Sequence, residues 1–264
     1  MPFSHANGVK IWFETAGDGP AMILIHANPF DHDLWLYQAA HFSTWFKTVT
    51  IDIRGYGRSI KMTEPFTLKD ICKDVVGVMS DLGLTRAVLG GCSVGSGTAL
   101  MLALDHPELF EALFLVGGNS AASSRYQKRI DGYVSNLPSY HLKHMRELVS
   151  DAFSKSELGA HLLNMFAERR PRLNGDAIAQ VFAAGNSTAT TDRLCEIKIP
   201  TLVINGEYDH SLKAGQKTAS LVPGAEHRIL AGTGHACCLE KPDKFNQLVL
   251  AFLRSHGLIP ELSA

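Results

Sequence analysis

The chain has 264 residues, enough to bury one sizeable core with a covering insertion and short for two independent domains. Its formal net charge is −1, with basic and acidic residues mixed along the sequence, so no basic block marks a nucleic-acid or anionic-membrane surface; the densest spot, Glu168-Arg169-Arg170-Pro171-Arg172, reads as a solvated helix end. No apolar run approaches the ~20 residues that span a bilayer, and the opening MPFSHANGVKIWFE lacks the charged start and apolar core of a signal peptide.

Val9 to Glu14 alternates weakly and ends at the turn cluster Ala16-Gly17-Asp18-Gly19-Pro20. Ala21 to Ile25 then resumes as an almost wholly apolar strand, as a strand buried on both faces should. The two are expected to pair as a hairpin at the sheet edge. The second strand runs into His26-Ala27-Asn28-Pro29. Trp35 to Trp45 reads as a helix, Thr48 to Ile53 as a strand, and Asp52 to Ser59 as a glycine-punctuated loop. Thr67 to Leu82 is the most legible helix. Leu68, Ile71, Cys72, Val75, Val76, Met79 and Leu82 share one face, Thr67 and Asp70 form a capping-box-like start, and Gly83 a stop. Strand Ala87 to Leu89, the helix that follows it and strand Leu113 to Val116 continue the alternation, which argues a mostly parallel sheet covered on both faces.

From Asn119 to about Asp192 strand-like runs vanish, and helical segments separated by Leu137-Pro138, Leu158-Gly159, Pro171 and Asn174-Gly175 take over. The expected division is a core of residues 1–118 and 193–264 with a helical lid at 119–192. Ile197 to Asn205 and Glu226 to Leu230 restore the sheet. A last helix starts near Pro242 and carries Phe245, Leu248, Val249, Phe252 and Leu253 on one face.

Gly91-Cys92-Ser93-Val94-Gly95 reads G-x-S-x-G between the apolar strand and the buried-looking helix. This pattern puts a serine at the tip of a sharp strand-to-helix turn, where only residues without side chains fit at Gly91 and Gly95. It also aims the Val94 amide at the helix N-terminus, where an oxyanion can be held. A serine hydroxyl is a poor nucleophile until a base removes its proton, and the base needs a partner to hold its tautomer. The pattern therefore predicts an acid and then a histidine downstream. Glu207 and Asp209 follow the buried strand and Gly206, at a strand's C-terminal end, where catalytic groups gather in open α/β sheets. His235 lies in Gly232-Thr233-Gly234-His235-Ala236, a glycine-rich loop before the last helix. The remaining histidines are scattered without H-x-x-x-H or H-E-x-x-H spacing, and the five cysteines show no metal spacing. No metal site is expected, and the cysteines read as reduced thiols of a cytoplasmic protein.

The segment around Ser93 resembles the nucleophile elbow of the α/β-hydrolase family. Asp52-Ile53-Arg54-Gly55-Tyr56-Gly57-Arg58-Ser59 is typical of that family, and G-x-G-H followed by Glu240-Lys241-Pro242 is similar to its histidine loop. The resemblance covers nearly the whole chain outside the lid and implies the α/β-hydrolase fold. It favours Asp209 over Glu207, since strand-G-x-x-D is the family's usual form, and so implies Ser93, Asp209 and His235 as a triad. It implies that the loop after the early buried strand supplies a second oxyanion donor. Here that is the amide of Asn28, with Ala27 as the fallback, beside the amide of Val94. The family's usual His-Gly-x-Pro has Ala27 in place of glycine, so a different local backbone is expected. Asn28 also resembles haloalkane dehalogenases, but those and the related epoxide hydrolases need an aspartate where this chain has Ser93. Asp52 and Arg54 read as loop braces, Cys92 as a small buried neighbour of Ser93, and Cys237-Cys238 as small residues packed under the histidine loop.

Compact length and a short lid are similar to 3-oxoadipate enol-lactonase-like and small carboxylesterase-like members. The resemblance implies a serine hydrolase that cleaves a small carboxylic ester or lactone through an acyl-enzyme on Ser93. It implies no cofactor, a small-molecule substrate, and neither nucleic acid nor membrane as partner. A meta-cleavage-type C–C bond hydrolase uses the same triad but tends to carry a Gly-Pro-Gly loop that is absent here. A slow-turnover ligand receptor on the same fold stays open.

Overall fold

In the computed structural model, which describes residues 2–62, 64–121, 125–169, 173–187 and 189–259, eight strands form one sheet in the order β1-β2-β4-β3-β5-β6-β7-β8. Strands β1 (Phe3–Ser4) and β2 (Ile11–Ala16) run antiparallel at one edge; β3 (Ala21–Ile25), β4 (Lys47–Ile51), β5 (Ala87–Cys92), β6 (Phe110–Val116), β7 (Thr201–Gly206) and β8 (Glu226–Leu230) are parallel. The expected β2–β3 hairpin does not form. β2 pairs with β4 instead, and β3 lies between β4 and β5. Composition explains the difference. Every residue of β3 is buried, so it needs a neighbour on both edges and cover on both faces, whereas β2 alternates and turns Glu14 to Ala16 outward.

Side-chain alternation divides the core into two clusters, one on each face. Ile23 and Ile25 of β3 join Leu89, Leu113 and Val203 in one; Met22 and Leu24 join Val88, Phe114 and Ile204 in the other. Helices α2 (Leu68–Asp81), α3 (Val94–Asp105) and α8 (Leu212–Leu221) cover the first, and α1 (Leu36–Phe42), α9 (Cys237–Glu240) and α10 (Pro242–Ser255) the second. Helix α2 opens with the anticipated capping box: Thr67 accepts from the Asp70 amide and Asp70 from the Thr67 amide. No helix among the described residues is long and apolar enough to cross a membrane.

Between β6 and β7 the described chain is helical: α4 (Arg125–Glu147), α5 (Asp151–Lys155), α6 (Glu157–Glu168) and α7 (Gly175–Ser187), then a 3-10 turn at Thr191–Glu196. The expected break at Leu137-Pro138 falls inside α4. A proline removes one backbone hydrogen bond at a cost of about 3 kcal/mol, which a 23-residue helix packed along α7 can absorb. The break expected at Leu158-Gly159 lies instead at Ser156, whose hydroxyl accepts from the Gly159 amide and so opens α6. Asn174 caps α7 through the amides of Asp176 and Ala177. Pro171, also read as a break, lies outside the described residues. The insertion is not a detached unit: Tyr133, Ile178 and Val181 belong to the first core cluster, and Leu162, Leu163 and Phe166 to the second.

Candidate active site

Four consecutive parallel strands of the sheet's centre deliver loops to one place. Asn28 follows β3, Ser93 follows β5, Gly117 follows β6 and Asp209 follows β7, with His235 after the edge strand β8. All leave from the C-terminal ends of their strands, the side on which open α/β sheets build their sites. Together Asn28, Ser93, Gly117, Asp209 and His235 line a cavity of about 560 Å³. Its other wall comes from the helical insertion, through Tyr126, His144, Leu148 and Phe182.

Ser93 has φ 55° and ψ −111°, and it is the one non-glycine residue with positive φ among the described residues. Such a conformation costs on the order of 1–3 kcal/mol and persists only where the surroundings enforce it. Here they do. The Ser93 amide is bonded to the Val116 carbonyl at 2.8 Å, and α3 begins at the next residue. The flanking glycines are required by space: a Cβ on Gly91 would overlap the Gly95 carbonyl, and one on Gly95 the Ile25 carbonyl of β3. Val94 is the first residue of α3, so its N–H has no intrahelical acceptor.

Asp209 and His235, 26 residues apart in sequence, meet at 2.7 Å between Oδ1 and Nδ1, both buried. Burial by itself would raise the Asp209 carboxyl. The charge and hydrogen bond of His235, with donors from Ser211 and Asn205, outweigh it and hold the group well below the usual carboxylate range. Asp209 is therefore an acceptor and His235 donates to it through Nδ1–H, the pairing that places the lone pair of a neutral ring on Nε2. That nitrogen is buried with no partner among the described residues, in the cavity that Ser93 also lines. The Ser93–His235 hydrogen bond itself is not closed in this structure, as is common before substrate binds. Glu207, the alternative acid, is exposed and accepts from the Gly232 amide at 2.8 Å, away from His235.

The sequence alone missed the supports. Asn205 donates to Asp209 Oδ2 at 2.8 Å while accepting from His227 Nε2 at 2.9 Å, and Ser211 donates to Oδ1 through both its amide and its hydroxyl. His210 stacks on His235 with centroids 4.5 Å apart. Glu240 binds the Gly234 amide at 2.6 Å and Ser150, the N-cap of α5 inside the insertion, tying the histidine loop to it. The G-x-G-H stretch followed by Glu240 was visible in the sequence, but not that Glu240 reaches Ser150. Asp209, His210 and His235 also bring possible metal-ligand atoms within 4.8 Å of one another, although Asp209 and His235 are already engaged with each other.

The neighbouring loops act as braces. His26 donates from Nδ1 to the Ala27 carbonyl and accepts the Ile53 amide at Nε2, which spends both ring nitrogens. Asp52 accepts from the amide and ring of His32 and from the Arg58 amide, and Arg54 grips Asp74 of α2 through two hydrogen bonds. Ala27 has no positive φ and packs in the second core cluster, so the methyl group is accommodated where glycine is usual. Asn28 is 2 % exposed, its N–H makes no backbone hydrogen bond among the described residues, and its side-chain oxygen and nitrogen are both without a partner there. Cys92, Cys237 and Cys238 are free and buried in that same cluster. A hydrogen bond with Cys238, together with burial, pushes the Cys92 thiol well above its ordinary range, which keeps it a protonated, unreactive neighbour of Ser93.

The sequence profile of the alpha/beta hydrolase fold family matches residues 20–242. The chain belongs to the α/β-hydrolase fold family. Relatives within it include a 2-hydroxy-6-oxononadienedioate/2-hydroxy-6-oxononatrienedioate hydrolase of a Pseudomonas species, 29% identical over 79% of this chain and 77% of that one. A 3-oxoadipate enol-lactonase of Acinetobacter baylyi is 26% identical over 90% of each. Among solved structures, the enol-lactonase of Burkholderia xenovorans has the same fold, with a TM-score of 0.90 at 23% identity over 96% of this chain and 100% of its own. This α/β-hydrolase keeps that fold's mostly parallel eight-stranded sheet with helices on both faces.

Proposed function

We propose that the protein hydrolyses a small carboxylic ester or lactone by acyl transfer to Ser93. The observation that carries this reading is the pairing of His235 Nδ1 with Asp209, which leaves a buried, unpartnered Nε2 in the cavity of a strained serine. His235 Nε2 takes the Ser93 proton as Oγ attacks the carbonyl carbon. The amides of Asn28 and Val94 donate to the oxygen that becomes negative. Protonated His235 then passes that proton to the departing oxygen as the carbon–oxygen bond breaks, leaving an acyl-enzyme. A water loses a proton to the same nitrogen, attacks the acyl carbon and releases the acid and Ser93. Asp209 stays ionised and holds the tautomer. The helical stretch 119–192 acts as the lid: its side chains form the far wall of the cavity and so shape the acyl pocket.

The lactonase relative supports cleavage of an ester bond; the Pseudomonas relative favours, as a second reading, carbon–carbon cleavage by the same groups. A fluorophosphonate probe tests the shared nucleophile. It should label Ser93, as mapped by mass spectrometry, and Ser93→Ala should lose both labelling and hydrolysis of 4-nitrophenyl acetate. Labelling elsewhere, or retained activity, overturns the assignment. Multiple turnover on simple esters would separate an enzyme from a slow receptor.

A further inference from the structure

The chain as a whole is close to neutral, but the cavity above Ser93 is not. Arg125 and Arg129 of α4 and Lys213 of α8 line it, against the single carboxylate of Asp209, which is turned into its pairing with His235, Asn205 and Ser211. A second hollow of about 270 Å³ shares Arg125, Arg129 and His210 with the cavity and adds Lys128 and Lys143, with Glu147 as its acid. Glu147 holds Arg129 at 2.6 Å and lies 4.0 Å from Lys143, so it offsets part of this charge and not all of it. Neither Lys128 nor Lys213 makes an ion pair among the described residues. Three cationic side chains thus line the cavity and four the adjoining hollow, with Arg129 and Arg125, which also donates to the His210 carbonyl at 2.9 Å, common to both.

The placement matters because the walls are of low dielectric. Clefts lined by one sign of charge focus the field and raise the local concentration of oppositely charged substrate. Arginine adds specificity, since its planar fork matches a carboxylate in two-point contact. Deeper in the same cavity, the Asn28 side chain is buried with its oxygen and nitrogen unpartnered, ready to bond a polar substrate group beside the reacting carbonyl. His144 is buried in the same wall. Its Nδ1 is 2.6 Å from the Tyr133 hydroxyl, whose one proton has no other acceptor among the described residues, and burial holds the ring neutral. The cations near the mouth therefore outnumber any group that could repel an anion.

The geometry points to a substrate that carries a carboxylate remote from the scissile ester, bound at the α4 side of the cavity by Arg125 and Arg129 with Lys213 opposite. This inference rests on ester hydrolysis at Ser93 and adds the charge of the substrate to it. It predicts substrate choice by charge at equal size, which an apolar acyl pocket would reverse.

The test compares mono-4-nitrophenyl adipate with 4-nitrophenyl hexanoate, and 4-acetoxybenzoate with its methyl ester, so that the carboxylate sits on the acyl or on the leaving-group side. With the native enzyme at low ionic strength, one anionic ester of the two pairs should exceed its neutral partner in kcat/KM by about tenfold or more. Added salt should shrink that ratio, chiefly through KM, because exposed charges are screened. Arg125→Gln and Arg129→Gln should collapse the ratio further, and Arg125→Lys should restore part of it. A neutral ester preferred in both pairs, or a ratio that neither salt nor the arginine changes alter, overturns the inference. Ser93→Ala keeps the two questions apart. If it abolishes turnover of all four esters while the charge preference is absent, the nucleophile stands and the anion site falls; if it leaves turnover intact, the nucleophile falls whatever the charge preference.

Discussion

Replacing Asp209 by asparagine preserves the shape of the side chain and removes its charge, and the structure shows why the amide cannot serve. Oδ1 accepts from His235 Nδ1 and from both the amide and the hydroxyl of Ser211, while Oδ2 accepts from Asn205 Nδ2. An asparagine accepts at one end only. With its oxygen in place of Oδ1, its NH₂ meets the donating NH₂ of Asn205, which can turn over only if His227 changes tautomer as well. With its nitrogen in place of Oδ1, it faces the N–H of Ser211 and forces His235 to carry its proton on Nε2. In the mechanism proposed above, that is the nitrogen that accepts from Ser93. In a serine triad this wrong-tautomer effect is worth about 10⁴ in kcat, or ~5.5 kcal/mol of transition-state stabilisation. Since one orientation of the amide preserves the tautomer at the expense of Asn205, a fall of about 10³–10⁴ is expected here. The assay is steady-state hydrolysis of 4-nitrophenyl acetate by native and Asp209→Asn protein, with thermal melts to confirm that both are folded. A kcat within about tenfold of native, or a larger loss from Glu207→Gln, would refute the assignment of the acid and the reasoning from its four donors.

Two further outcomes follow from single positions. Gly117 has φ +58°, and a Cβ there would run into the His235 ring, so Gly117→Ala should push the imidazole aside and lower kcat by about 10²-fold with the fold retained; a native kcat would show that the ring has slack. The second concerns pH. Burial disfavours charge on His32, but its hydrogen bond to Asp52 and the nearby carboxylates prevail and raise it to about 9. Because the folded value lies above the unfolded one, the stabilisation is fully present below about pH 6.5 and is lost as pH rises through about 9, an effect on the order of 2–3 kcal/mol. Urea midpoints should show a gap between native and His32→Gln protein at pH 6 that narrows by that amount near pH 9.5, and a gap independent of pH would mean that His32 is held as a neutral ring.

Much of this architecture was legible because it is written in short-range terms. The capping box at Thr67 and Asp70 involves a three-residue spacing, and the fully apolar run from Ala21 to Ile25 announces a strand buried on both faces. The G-x-S-x-G turn is equally local: the two glycines exist because neighbouring backbone carbonyls of the same elbow and of β3 leave no room for a Cβ. Ser93 and His235 could be chosen because each sits in a glycine-marked loop at a strand's C-terminal end, whereas Asp209 was separated from Glu207 of the same loop only by the resemblance to the family's strand-G-x-x-D form.

What the sequence could not contain is which strand lies beside which. The turn cluster before Ala21 suggested a hairpin, yet pairing of β2 with β4 satisfies an alternating edge strand and leaves the central place to β3, a decision made by burial over the whole sheet. The same non-local arithmetic puts Gly117 against His235, joins Asn205 to Asp209 and ties Glu240 to Ser150 across 90 residues. It also converts a chain of near-zero net charge into one with a cationic cavity mouth. Arg125, Lys128 and Arg129 are already neighbours on one turn of α4, but only the fold brings Lys143 and, from α8, Lys213 to the same region, because electrostatic potential depends on distance in space and not on distance along the chain.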